Sequence, residues 1–445
     1  MVNPVRRYDW GSRTALATLQ GRPPTGEPEA ELWMGAHPLA PSHLLTGDDA
    51  APGVEPGVGP DAGPDAGVAP AAAGISLAAA IATDPAGVLG EATLRRFGAR
   101  LPFLLKVLAV ERALSVQVHP GRRRAAARFA EEAELGLAPG SAKRTYVDPY
   151  GKPEFLYALT AFDALAGLRP AQEAKVLLSL LGLPVLDDAV AAAGGPGQGR
   201  AGAAAALAQL VRMPDPARAA FADDAARRAA QSLAGSAELP AGARDALAVV
   251  VRLAAEHPGD ALVVAPLLLR LHHLCPGGTI FLPTGVPHAY LGGLAVEIMA
   301  TSDNVLRAGL TTKHVDPEEL LAALDPAADA EVLPPGGRTG HDRHTWVLPV
   351  PEFQLTRLDT APGVPSALPA GGGGPRIVLC TRGRLVLCTR GRSLVPSDPT
   401  NGDDAVVLTA GQSAFVPGGA PDLELLGSAE AFVAAPGPAP EALNH

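Results

Sequence analysis

Gln117-Val118-His119-Pro120 closes an apolar run that begins at Leu101. On an extended strand, residues two apart point to the same face, so Ser115, Gln117 and His119 line one wall together. An amide oxygen beside an imidazole is half of a metal site. Lys152-Pro153-Glu154 has the same period of two and puts an ammonium and a carboxylate on one face. With His288, the set Gln117, His119, Glu154 and His288 offers two imidazoles, one carboxylate and one amide oxygen. That set suits Zn²⁺ with a position left open. One carboxylate cancels only one of the two charges, which leaves a positive field for polarising a substrate oxygen. Each piece alone has a plainer reading: a packed histidine, a surface Lys–Glu pair, an amide capping a backbone edge.

His288 enters through an internal repeat. Gly277, Pro283, Gly285 and His288 recur as Gly411, Pro417, Gly419 and Asp422, all offset by 134 residues. In each copy a glycine starts a strand, and Pro and Gly make a corner that presents the last side chain. The pattern predicts two related β-barrels, of which only the first is equipped to hold a metal. A second barrel motif of this shape resembles that of the cupins, which implies jelly-roll barrels.

The elements that must position these residues follow from periodicity. Residues 101 to 119 read as buried strands, and Leu156 to Leu168 as a strand region containing a turn. From Pro170 to His257, Ala, Leu, Glu and Arg dominate with a 3.6-residue period, as in 171–181 and 241–255, which predicts a helical module. A Gly/Ala-rich break is expected at 192–206. Strand character is expected again from Leu262 through Leu294. Asp316-Pro317-Glu318-Glu319 is a helix start, with the helix within 312–325. After Trp346 the chain is β-rich, and the tandem Ile377–Arg384 and Leu385–Arg392 segments predict a hairpin turning at Arg382-Gly383. Residues 46–74, rich in Gly, Pro, Ala and Asp, read as a mobile insertion. The fold expected is mainly β with inserted helices. The catalytic barrel is built from 1–168 and 259–328, the helical module is 169–258, and a second barrel without a metal site spans 329–445.

At 445 residues the chain is long for one core. A formal charge of −10 argues against a general polyanion binder, so no nucleic-acid partner is expected. Arg122-Arg123-Arg124 reads as a solvated face. The first ten residues lack the apolar core of a signal peptide, and no apolar run reaches membrane-spanning length. Cys275, Cys380 and Cys388 have neither zinc-finger nor redox spacing and are expected as small buried side chains in a reducing cytoplasm.

The motifs together resemble the type I mannose-6-phosphate isomerases, also called phosphomannose isomerases. The resemblance is carried by Tyr8–Gly11, Glu31–Pro38, Leu101–Leu108, Ser115–Pro120, Lys152–Glu154, Phe281–Leu291, Glu297–Gly309 and Lys313-His314. It implies one zinc on Gln117, His119, Glu154 and His288, and Arg307 as the active-site arginine. It also implies interconversion of mannose 6-phosphate and fructose 6-phosphate through a cis-enediol, feeding GDP-mannose and glycan synthesis. Lys152 and Glu297 compete for the role of base. Some of Lys106, Ser115, Lys152 and Lys313 are the expected phosphate contacts, and Tyr290, two residues past His288, is read either as a substrate contact or as a packed tyrosine. Many members of the family have a histidine just before Lys-Pro-Glu, where this chain has Gly151. Leu39 stands where a lysine often follows the early His-Pro. His272 and His273 are read as packing or solvated, and His37 as structural or lining the approach.

Two other classes stay open on sequence alone. A cupin oxygenase would need redox iron with three histidines or two and a carboxylate. A non-catalytic sugar-binding bicupin would need no base. The Gln ligand and the Lys152/Arg307 pair favour a redox-silent Lewis acid acting on an anionic substrate. A monomer or weak homodimer is expected, with a small sugar phosphate as partner and no membrane.

Overall fold

The computed structural model describes residues 1–45, 74–138, 141, 144–193, 199–235, 238–333, 343–368, 371–389 and 405–439. The insertion read at 46–74 lies outside them except for Gly74. The protein is mainly β with several helices. It divides into two compact units, one of residues 110–294 and 302–333, the other of residues 1–109, 295–301 and 334–445.

The first of these units carries the proposed ligands. Glu154–Ala158 and Phe162–Leu168 form the strand region with a turn that the apolar run predicts. Glu154–Ala158 pairs antiparallel with Thr279–Leu282, so that Glu154 faces Leu282. Phe162–Leu168 pairs with Leu269–Leu274 and with the start of His288–Ala300. Helices pack against this framework. Ala243–Glu256 buries Ala243, Ala246, Leu247, Val250 and Leu253, a stripe at three- and four-residue spacing. Asp316 caps the helix Pro317–Ala323, its carboxylate accepting from Glu319 N at 3.1 Å, as the sequence predicts.

Two boundaries differ from expectation. The break expected at 192–206 contains the start of a helix, Ala201–Val211, which buries Ala203, Ala206, Leu207 and Leu210. Alanine is the strongest helix former, and its clustering signals helix rather than break. Strand does not return at Leu262: Ala261–Val264 is a 3₁₀ turn and Ala265–Leu268 a helical turn, with Asp260 accepting from Leu262 N at 2.8 Å. Strand begins at Leu269. A continuous apolar run does not distinguish a buried strand from a buried helical turn.

The strand Phe103–Val110, whose first seven residues belong to the second unit, buries all eight residues, as a strand covered on both faces must. It lies between Glu31–Met34 and His288–Ala300 in the sheet order. A separate sheet has the order Arg343–Trp346, Gln354–Thr360, Leu423–Ala435, Arg376–Thr389, Val406–Thr409. The hairpin expected at Arg382-Gly383 is absent among the described residues: Arg376–Thr389 runs on as one strand, with a bulge between Cys380 and Arg382. Gly383 has φ +79°, and a Cβ there would lie 2.0 Å from Ser428 O. Its glycine serves a close backbone approach next to a bulge, which in sequence looks like a turn. The pairings among the described residues form branched sheets and no closed barrel. Cys380 and Cys388 are buried as expected, whereas Cys275 is exposed on a turn. Among the described residues no helix is long and apolar enough to cross a membrane.

The 134-residue repeat is structural. Thr279–Leu282 and Ser413–Val416 are both four-residue strands, and His288–Ala300 and Leu423–Ala435 both have thirteen residues. The glycines match in conformation: φ is +92° at Gly277 and +79° at Gly411, +87° at Gly285 and +74° at Gly419. A third pair, Gly293 at +124° and Gly427 at +116°, extends the repeat beyond the four positions read from sequence.

Candidate metal centre and active site

Strand register brings the ligands together. Gln117 is the middle residue of Val116–Val118, whose two valines are buried while Gln117 is half-exposed. It stands directly opposite His288 on one side and Arg307 on the other. Directly opposed residues share a face of the sheet. Arg307, Gln117 and His288 therefore form a row across three strands. Pro283 and Gly285 turn the chain between Thr279–Leu282 and His288, and Gly285 N bonds His119 O at 2.8 Å. That bond ties the His288 corner to the His119 segment.

His119, Glu154 and His288 are all buried, and one ligand atom from each lies within 4.8 Å of the others. His119 Nε2 is 3.1 Å from Glu154 Oε1, and His288 Nε2 is 3.4 Å from Glu154 Oε2. The other ring nitrogens face backbone carbonyls, His119 Nδ1 with Asn304 O at 2.8 Å and His288 Nδ1 with Val286 O at 2.9 Å. A carbonyl only accepts, so each Nδ1 carries the hydrogen, and a neutral ring leaves Nε2 as a lone pair. Burial, aided by the Lys152 ammonium, pushes His119 down to about 4, so it is neutral near pH 7. Burial alone would raise the Glu154 carboxyl, but Lys152 and His119 outweigh it and hold Glu154 well below the ordinary range.

Imidazole lone pairs aimed at carboxylate oxygens repel unless a cation lies among them, a place the Lys152 ammonium takes beside His119 and Glu154 and a metal can take for both histidines. Carbonyl-oriented Nδ1–H groups are also the usual partners that fix a metal-binding histidine. Gln117 Nε2 is 3.3 Å from His288 Nε2, and turning the amide over presents Oε1 to the same space. The donor set therefore fits a divalent metal of zinc's preferences.

Lys152 joins this group, its Nζ 2.5 Å from Glu154 Oε1 and 3.2 Å from His119 Nε2. The period-two placement of Lys152 and Glu154 is thus realised against one histidine. The Tyr290 hydroxyl donates to Glu154 Oε2 at 3.4 Å, and its ring meets Phe162 edge-on at 5.5 Å. Tyr290 thus touches both the carboxylate and the core. Arg307 and Ser115 are half-exposed, and Lys313 is exposed on the loop after Leu306–Gly309. In the other unit, Lys106 is buried and lies 3.6 Å from both Glu31 and Glu297, with the Trp33 ring at 5.0 Å. Of the remaining histidines, His272 bonds Ala166 O, exposed His273 bonds Asp163, and buried His37 packs edge-on against Trp33. Arg122 and Arg123 are exposed as expected, whereas Arg124 binds Glu319 at 2.6 Å and the Tyr146 hydroxyl at 2.9 Å.

Residues that no motif chemistry singles out also shape the site. Asn304, only 1% exposed, accepts the His119 ring hydrogen through its carbonyl and binds the 147–150 loop through its amide. It lies inside the Glu297–Gly309 motif, but no spacing distinguishes it there. In the other unit, Glu31 and Trp33, also inside a motif, enclose Lys106. Gly151 packs closely: a Cβ there would lie 3.0 Å from Arg122 N and 3.4 Å from Pro120 O.

Comparisons with known proteins give the family. Residues 1–52 and 66–171 match the family model for the catalytic domain of type I phosphomannose isomerase. Mannose-6-phosphate isomerase of Salmonella typhimurium is 35% identical over 380 residues, covering 81% of this chain and 83% of the relative. The Escherichia coli mannose-6-phosphate isomerase is 37% identical over 329 residues, covering 72% and 73%. The crystal structure of a zinc-bound mannose 6-phosphate isomerase superposes with a TM-score of 0.76 at 30% identity, covering 98% of each chain. A phosphomannose isomerase mutant from Salmonella typhimurium superposes with a TM-score of 0.77 at the same identity and coverage. Neither the oxygenase nor the non-catalytic reading draws support from these relatives. The chain belongs to the type I phosphomannose isomerase family.

Proposed function

We propose that this chain interconverts D-mannose 6-phosphate and D-fructose 6-phosphate, with one zinc held by Gln117, His119, Glu154 and His288. The observation that carries the reading is the convergence of two Nδ1–H histidines on Glu154, with Arg307 in register beside Gln117. When bound, zinc supplies a Lewis acid that makes the C2 hydrogen of the open-chain sugar more acidic.

The residues of the chain do the rest. A base removes the C2 proton and the C1 carbonyl oxygen takes the negative charge as an enediolate; the hydroxyl proton passes from O2 to O1, and the first proton returns to C1 as O2 becomes the ketone oxygen. Arg307, permanently charged and half-exposed, stabilises the developing negative charge. Lys152, placed among the ligands, can serve as base only as the free amine; Glu297, paired with Lys106, is the competing group. Ser115 and Lys313 are assigned to the substrate phosphate, and Tyr290 to the substrate or to holding Glu154. The product class fits supply of nucleotide sugars such as GDP-mannose.

We also read the two repeated corners as related cupin-type modules, which the matched strand lengths and glycine conformations support. In the second corner, Arg376 faces Val416 as Glu154 faces Leu282. Asp422 replaces His288 there. A dication at that corner would meet a guanidinium, so one zinc per chain is assigned. The test is a coupled assay with mannose 6-phosphate before and after chelation, together with metal analysis. Turnover that is lost with chelation and restored by zinc is expected; a zinc-loaded protein without turnover overturns the function.

A further inference from the structure

Residues 147–150 lead directly into Lys152 and Glu154, and they are held by one buried side chain. Asn304 Oδ1 accepts from Val147 N at 3.0 Å. Its Nδ2 donates to Asp148 O at 2.7 Å and Tyr150 O at 2.9 Å, with Asp148 Oδ1 at 3.1 Å. These contacts use both N–H bonds and the carbonyl of the amide. The Asp148 carboxylate closes the structure from the other side, accepting from Tyr150 N at 2.9 Å, Ser302 Oγ at 2.9 Å and Asp303 N at 2.8 Å. Ser302 Oγ in turn accepts from Asn304 N at 3.2 Å.

The same Asn304 receives the His119 Nδ1–H through its backbone carbonyl, and Arg307 follows three residues later. One short segment therefore reaches His119, the approach to Lys152 and Glu154, and the strand of Arg307. Gly151 brings the loop hard against Pro120 and Arg122 on the far side, with no room for a Cβ without movement. No other side chain reproduces the Asn304 contacts. Aspartate of the same shape would lose both donors and set a second carboxylate against Asp148, and alanine would leave buried backbone groups unpaired.

We propose that Asp148, Ser302 and Asn304 form a positioning clasp that fixes Lys152 relative to His119 and so sets turnover rather than substrate affinity. This rests on the isomerase reading above. Because His119 is oriented by the Asn304 main chain, changing the side chain separates loop placement from metal binding.

The test compares the zinc-loaded full chain with Asn304→Asp, Ser302→Ala and the double variant Asn304→Asp/Asp148→Asn. Asn304→Asp is expected to keep one zinc per chain, lower kcat by about 10- to 100-fold and leave KM within about threefold. Ser302→Ala, which removes one partner of Asp148 and is the milder change to folding, is expected to lower kcat about threefold to tenfold. The double variant restores an amide–carboxylate pair and is expected to recover part of the loss. Amide hydrogen exchange at Val147 and Tyr150 should quicken in Asn304→Asp. Folded, zinc-retaining Asn304→Asp and Ser302→Ala with normal kcat overturn the clasp and leave the isomerase reading intact. Loss of zinc in step with loss of rate also overturns it, since the role would then be metal retention. If the parent chain has no isomerase activity, the function fails, and unchanged exchange at Val147 and Tyr150 would then overturn the clasp by itself.

Discussion

Replacing Arg307 tests the core of the site most directly. Its register opposite Gln117 puts it one strand from the ligand row, and the residue is partly exposed. A unit charge about 4 Å from a developing enediolate, at an effective dielectric of about 20, is worth about 4 kcal/mol. At 1.36 kcal/mol per tenfold this corresponds to a rate factor of about 10³. Arg307→Ala should therefore lose about 10³ in kcat while holding zinc, because Arg307 is not among the ligand donors. Arg307→Lys retains the charge but not the planar fork, and should lose about tenfold. The assay is coupled turnover of mannose 6-phosphate with zinc measured on the same samples. An Arg307→Ala protein within about threefold of normal would remove the charge from the mechanism. One that loses zinc would show that the row of three strands, not the guanidinium, is what the substitution breaks.

Other perturbations follow from the same geometry. His288→Ala should abolish stoichiometric zinc and turnover together, measured by metal analysis after dialysis; retained zinc would show that the remaining donors suffice. Gly427→Ala should destabilise the fold by more than about 2 kcal/mol in denaturant unfolding, because φ is +116° and the new Cβ would lie 2.2 Å from Arg384 O. A substitution there without effect would show that the bulged strand adapts freely. Burial pushes the Tyr146 phenol up to about 12, with Glu319 adding to the rise and Arg124 opposing it. The folded pKa lies above the unfolded value near 10, so the stability Tyr146 contributes is complete below about pH 10 and is lost as pH rises from about 10 to 12. Phenolate absorbance from Tyr146, isolated by difference against Tyr146→Phe, should appear only near the top of that window while the protein remains folded; its appearance near pH 10 would contradict the burial.

The parts of the fold that sequence revealed are those whose cause is local. A glycine at positive φ, a proline corner and the strand they flank need only a few adjacent residues, so the repeated corner could be read twice in the chain. The alternation in Val116-Gln117-Val118 similarly declares which side chain faces the site. The features that stayed hidden depend on distant partners. Gly383 looks like a hairpin turn until the Ser428 backbone is placed against it. Residues 261–268 look like strand because they are apolar on every side, which removes the periodicity that separates helical turns from strands.

The active site divides along the same line. Imidazole, carboxylate and amide donors have chemistry that is visible as residue types, so the proposed ligands His119, Glu154, His288 and Gln117 stand out in the bare sequence. Asn304 has no such chemistry. Its importance comes from meeting Val147, Asp148 and Tyr150, more than 150 residues away in the chain. A motif tells which atoms can hold a metal, whereas the precision of the neighbouring lysine depends on contacts that only the folded chain creates. The comparison of the two corners makes the same point. They keep the same strand lengths and glycine conformations, yet one carries Glu154 and His288 and the other Arg376 and Asp422. The backbone can be repeated without repeating the chemistry, because the corner fixes where a side chain points and leaves its charge free to change.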